Sequence, residues 1–252
     1  MEISRSIGNN LLNITYPSQL DTIITKIDTI FSSIIISYPS TIDVDINIIN
    51  FTDNATFGNA SINNDNYIVN LNTNNQTLSE NFFVNDESET INFGVLLHEL
   101  LHILGVGLSD YWTNNINTDV YGYTGVNGIQ QYKNLLLLNG FSNDIVNSLI
   151  YIPIENNFGS NTQGSHIEEG IEQDIDGNLN LEYRIIDNIE YPIVVNEIMS
   201  GFLNNYNYLT CITLGILEDC MYTVNYNSPY ITNISTNLKI QYSLIQSVSE
   251  PE

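Results

Sequence analysis

The chain is 252 residues long and carries 29 Asp and Glu against 5 Lys and Arg, a formal net charge of −24. That balance argues against nucleic acid as a partner, because phosphate recognition needs a basic face, and it favours solubility and attraction of cationic ligands. No apolar run approaches the roughly 20 residues of a transmembrane helix; Ile34-Ile35-Ile36 is far too short.

In chain order, Met1 to Asn10 is polar and does not read as a signal peptide. Asn and Ile are abundant while Lys, which the same AT-rich coding bias would raise, is scarce. The acidity therefore reads as selected and tilts an otherwise unknown localisation toward an extracellular or particle-surface setting. The spacing of Leu20, Ile23, Ile24, Ile27, Ile30 and Phe31 predicts a helix over 19–33. Residues 41–48 and 66–72 alternate and predict strands, and the Asn-rich run 72–75 reads as a loop.

Ile91, Phe93, Val95, Leu96, Leu97, Leu100, Leu101, Ile103 and Leu104 leave the next segment apolar nearly all round, which predicts a buried helix. Asp86, Glu87, Ser88 and Glu89 are expected to form its acidic, cap-competent start, and Gly105 its stop. Further on, the run 174–180 could take calcium. It lacks the glycine and final glutamate positions of an EF-hand loop, so a plain turn is expected there. Alternation in 179–185 and 191–195 predicts an added hairpin. Cys211 and Cys220, nine apart around a predicted helix, are read as free thiols because they lie on opposite sides of it.

The chain has 3 His, and two of them fall in His98-Glu99-Leu100-Leu101-His102, the zinc-peptidase pattern H-E-x-x-H. Residues four apart on a helix share a face, so both imidazoles can reach one ion. A buried charge needs a partner, and a metal supplies one for His98, Glu99 and His102 together. Zinc in hydrolases takes three protein ligands and leaves one position for water; His166 is free to complete the set. Glu99 sits beside a ligand and is expected to take a proton from the metal-activated water and later pass it to a leaving amine. Taken alone, a loop histidine is more often solvated than ligating, and a methionine such as Met199 is usually core filler.

The wider pattern resembles the metzincins, whose motif extends as H-E-x-x-H-x-x-G and is followed later by a Met-turn. The third His of the compact motif would stand at Leu108, which cannot ligate. A long insertion before the third His is the pattern of the leishmanolysin family, which this chain resembles from about Phe93 to Tyr226. The likeness runs through Tyr123-Thr124-Gly125-Val126-Asn127 with Gln131-Tyr132, Tyr151-Ile152-Pro153-Ile154-Glu155-Asn156, and Gly164-Ser165-His166. It continues through Asn196-Glu197-Ile198-Met199-Ser200-Gly201, similar to the Met-turn, and through 212–219 and 222–225, similar to the closing helix. Ile167 departs from the aromatic residue usual after the third His, and the stretch from His166 to Met199 is long. The chain resembles the simpler, Cys-poor members.

The resemblance implies a single α+β, zincin-like catalytic domain over 1–252. A twisted mixed sheet, a backing helix and the active-site helix are expected over 1–107, and a mostly irregular and helical lobe over 108–252. It implies one catalytic zinc on His98, His102 and His166, Glu99 as base and acid, Met199 as a packing support, and a protein or peptide substrate. Tyr67, Ile68, Val69, Asn70 and Leu71 are the candidate substrate-pairing edge strand, with an interior strand as the alternative, and 168–195 is expected as a hairpin at the cleft rim. The rival reading is a catalytically silent, acidic surface or adhesion module on the same fold. Substrate, activation and oligomeric state are not legible.

Overall fold

Alternation of apolar residues builds the first layer. Strand β1 (Glu2–Ile7) pairs antiparallel with β2 (Leu12–Pro17), and helix α1 (Asp21–Ile34) buries Ile24, Ile27, Ile30, Phe31 and Ile34 along one face. Short β3 (Ile35–Ser37) leaves the helix, and β4 (Ile42–Ile49) runs parallel to β2. β5 (Gly58–Asn63) and β6 (Asn66–Asn72) are antiparallel to each other, and β6 is parallel to β4. The result is a mixed five-stranded sheet in the order β1-β2-β4-β6-β5. One face buries Val44, Ile46, Val69 and Leu71; on the other, the side-chain amides of Asn47, Asn70 and Asn59 link three strands at 3.2 and 2.9 Å. The computed structural model describes residues 1–52, 56–63, 66–72, 81–84, 87–159, 162–176, 178–202, 204, 206–234 and 238–242.

Two expectations are corrected here. Tyr67 to Leu71 do not form an edge strand: they belong to β6, which is paired on both sides by β4 and β5, so its main-chain groups are spent within the sheet. Among the described residues the sheet's edges are β1 and, next to β6, β5. The acidic run before the zinc-motif helix also behaves differently. β7 (Asn81–Val84) and β8 (Glu87–Thr90) form an antiparallel pair, and Thr90 is the N-cap of α2 (Ile91–Ile103), its hydroxyl accepting from the Phe93 N–H at 3.3 Å. Glu89 is held instead by Lys26 of α1 at 2.5 Å, while Asp86 lies outside the described residues.

Beyond α2 come α3 (Asp110–Asn114), β9 (Ile116–Asn117), β10 (Gly122–Tyr123), α4 (Val126–Leu138), α5 (Asn143–Ser148) and β11 (Ile152–Pro153), the strands ordered β11-β10-β9. Residues 168–195 then form two hairpins, β12 (Ile171–Gln173) with β13 (Leu179–Leu181), and β14 (Arg184–Ile186) with β15 (Ile189–Tyr191). β16 (Ile193–Val194) follows. β17 (Tyr206–Asn207) pairs with β7, β18 (Thr223–Val224) with β3, and β19 (Ile240–Gln241) with β16. α6 (Cys211–Asp219) packs against α4, and both of its flanking cysteines are free and buried.

The single rim hairpin is therefore also corrected. Ile186, Tyr191, Ile193 and Val194 are buried, and the Tyr132 hydroxyl donates to the Pro192 carbonyl, so β14 to β16 belong to the core. In the exposed β12–β13 connection, the Asp174 carboxylate accepts from the Asp176 and Asn178 N–H groups at 3.0 and 2.8 Å, an Asp-centred turn. The described chain is a mixed α+β structure, and no helix among the described residues is long and apolar enough to cross a membrane.

Candidate metal centre

α2 sets His98 and His102 one turn apart on one face, and the bridges Ile154–Ile167 and Ile167–Ser200 bring His166 up against them. The three Nε2 atoms form a nearly equilateral triangle: His98 to His102 3.0 Å, His102 to His166 3.1 Å, His98 to His166 3.2 Å. His102 and His166 are buried and His98 is partly so. This group could hold a metal ion.

The protonation pattern tests that fit. The opposite nitrogen of each ring, Nδ1, faces a main-chain carbonyl: Ile198 for His98 at 2.7 Å, Val106 for His102 at 2.7 Å, and Thr162 for His166 at 3.0 Å. A carbonyl oxygen only accepts, so every Nδ1 carries the proton and, in a neutral ring, every Nε2 presents a lone pair. Three lone pairs at 3.0–3.2 Å repel unless a cation stands among them. Protonating the rings is resisted as well. Burial lowers His98 to about 3, holds His102 well below its ordinary value and lowers His166, with the neighbouring rings adding to the effect for His98 and His102. The Nδ1–carbonyl bonds are the orienting contacts that ligating histidines commonly make. The donor set therefore fits a nitrogen-preferring ion such as zinc, whose nitrogen ligands lie at about 2.0–2.1 Å.

Glu99 lines the same cleft, a space of ≈ 840 Å³ floored by the three histidines and bordered by Gly58, Asn59, Ala60 and Ser61 of β5. Burial pushes its carboxyl up to about 8, against the opposing pull of the Ala60 N–H. β5 comes this close because Gly58 has no side chain: a Cβ there would lie 2.7 Å from Val95 Cγ1 and 3.0 Å from Glu99 Oε1. Gly107, at φ +81°, has a similar role on the opposite side, where a Cβ would meet His102 Nδ1 at 2.8 Å and would also collide with the Ser165 carbonyl. Gly105 follows the last turn of α2 at φ +119°. A smaller hollow of ≈ 370 Å³ over Arg5, Asn13 and Asp43 holds no cluster of candidate metal ligands among the described residues.

Met199 is fully buried in the turn whose preceding carbonyl, Ile198, orients His98. The turn is braced by Glu197, which accepts from the Met199 N–H at 2.5 Å, the Thr213 hydroxyl at 2.6 Å and the Thr210 hydroxyl at 3.2 Å. Trp112 Nε1 donates to the Gly164 carbonyl at 2.9 Å, pinning the approach to His166. Tyr67 to Leu71 do not line the cleft, and neither does any described residue from 167 to 195.

Sequence reasoning missed Gly58, Gly107, the clamp at Glu197 and a second buried cluster of Glu155, Glu168 and Glu169. The adjacent pair Glu168-Glu169, two residues after His166, was the available signal for that cluster. Comparison with models of protein families, with curated proteins and with solved structures found no match for the chain.

Proposed function

We propose that the chain is a zinc-dependent endopeptidase with a metzincin-type site of the leishmanolysin-like kind. One observation carries this reading: three Nε2 lone pairs converge to within 3.0–3.2 Å of one another, beside an acid in an open cleft. His98, His102 and His166 would hold the ion. Zinc, when bound, polarises a carbonyl and lowers the pKa of water.

The chain's own residues supply the remainder. Glu99 takes a proton from the attacking water and delivers it to the leaving amine, the work of a positioned general base and acid. The free edge of β5, from Gly58 to Ser61, binds an extended peptide by strand addition. This moves the substrate-pairing role from β6 to its neighbour. The charge of −24 favours cationic peptides.

The test is a peptide-library digest by purified protein, with and without a zinc chelator, beside Glu99→Gln. Cleavage is expected from the wild type, lost to the chelator and restored by zinc. It is expected to be absent in Glu99→Gln, which keeps its metal. Wild-type cleavage by that variant removes Glu99 from the mechanism, and chelator-resistant cleavage removes zinc.

A further inference from the structure

Glu155, Glu168 and Glu169 bring their carboxylates together at a place the proposed catalysis does not use, one oxygen of each lying within 4.8 Å of the others. Their relative exposures are 0%, 1% and 0%. Isolated carboxylates are costly to bury in this way. Two oxygens are provided for locally: Glu155 Oε1 accepts from the Asn157 N–H at 2.5 Å, and Glu168 Oε1 from the Gly170 N–H at 2.9 Å. The remaining four, Glu155 Oε2, Glu168 Oε2 and both oxygens of Glu169, have no hydrogen-bond donor among the described residues.

The nearby cation does not answer them. Arg184 is engaged with Glu182 at 3.0 Å and with the Val120 carbonyl at 2.8 Å, leaving only its Nε 3.7 Å from Glu168 Oε2. The Gly201 N–H draws on Glu169 but completes no hydrogen bond with it.

We propose that Glu155, Glu168 and Glu169 form a calcium site that braces the segment carrying His166. Calcium accepts 6–8 oxygen ligands at about 2.3–2.6 Å in a flexible geometry, so one ion can take oxygens that all lie within 4.8 Å of one another, whereas magnesium demands a near-octahedral shell and keeps several waters, which three fully buried carboxylates suit less well. A proton shared between Glu155 and Glu169 is the competing arrangement. It joins two oxygens and leaves Glu168 Oε2 with only the 3.7 Å approach of Arg184 Nε, while a cation takes an oxygen from each of the three carboxylates. The ligands come from two adjoining stretches, the end of β11 and the residues after His166, already joined by the Glu155 N–H to the His166 carbonyl at 3.0 Å. No atom of the histidine cluster takes part, so the site stands whether or not the chain is a peptidase.

Equilibrium dialysis of the full chain against radioactive calcium, up to about 1 mM, the upper range for extracellular modules, is the test. One calcium per chain is expected in the wild type and in His98→Ala, with a rise in melting temperature larger than magnesium gives. Glu169→Gln and Glu155→Gln, checked for folding by circular dichroism, should each weaken binding at least tenfold, and Asp174→Asn should leave it unchanged. Absence of calcium binding by the wild type, or an equal or larger thermal shift with magnesium, overturns the proposal. So does binding that survives both glutamine variants or is lost in Asp174→Asn, which would place the ion at the exposed turn.

Discussion

Replacing Glu197 tests whether the turn that follows it positions His98. The side chain is fully buried and accepts four hydrogen bonds, two of them short: Met199 N–H at 2.5 Å and Thr213 Oγ1 at 2.6 Å, with Thr210 Oγ1 and N at 3.2 and 3.4 Å. Above about pH 7, where Glu197 is a carboxylate, hydrogen bonds to the charged group contribute about 1.5–3 kcal/mol each, and a buried donor left without a partner costs about 1–3 kcal/mol. Counting the two short bonds alone, Glu197→Ala should destabilise the protein by about 3–6 kcal/mol, a large part of the roughly 5–15 kcal/mol typical of a folded chain. Glu197→Gln keeps an acceptor for the threonines but sets an amide NH2 against the Met199 N–H, so about half that loss is expected. Because the Ile198 carbonyl holds His98 Nδ1, both variants should also release metal faster.

Urea unfolding gives the stability and transfer of metal to a chromophoric chelator gives the release rate. Burial raises the Glu197 carboxyl from 4.5 to about 7. The folded state therefore holds this proton more tightly than the unfolded chain. Its contribution to stability is full below the unfolded value and is lost as pH rises toward the folded one, and glutamine should flatten that stretch of the curve. Stability and metal release both within error of wild type in Glu197→Ala would refute the clamp.

Three further outcomes follow from the same geometry. His166→Ala removes one corner of the nitrogen triangle, and metal retained after dialysis should fall sharply; unchanged content would mean that another residue is the third ligand. Gly107→Ala forces a left-handed backbone on an L-residue, about 1–2 kcal/mol, and overpacks His102 by about a further 1–3 kcal/mol, so thermal unfolding should come earlier with weaker metal retention, and wild-type values for both would refute the close approach. Met199→Leu conserves volume in the core and should cost below about 1.5 kcal/mol with metal retained; complete metal loss in a folded variant would contradict a packing role.

What the sequence revealed depended on how local each interaction was. His98 and His102 were legible because helical spacing alone sets them on one face, and Glu99 because it adjoins a ligand in the H-E-x-x-H pattern. His166 needed the wider pattern, since a partner 64 residues from His102 is fixed by tertiary pairing and not by period. The place of 67–71 stayed open between edge and interior because alternation in β6 reads the same whether one or both of its sides are paired, and the structure gives the interior. The edge beside it, Gly58-Asn59-Ala60-Ser61-Ile62-Asn63, has too few apolar residues to announce a strand. The 168–195 segment showed alternation but not its division: 179–185 is split between β13 and β14, β12 was not foreseen, and β16 pairs with residues 240–241. Nothing in the sequence pattern marks Glu155, Glu168, Glu169 or Glu197 as buried in so acidic a chain, and only the fold shows it.

X-ray absorption at the zinc edge on purified protein tests the central claim most directly. It should show about one zinc per chain with three nitrogen ligands at about 2.0–2.1 Å and one oxygen, with the nitrogen count falling in His166→Ala. A spectrum with sulfur, with oxygen alone, or with no change in His166→Ala would contradict the assignment of His98, His102 and His166 as the metal centre.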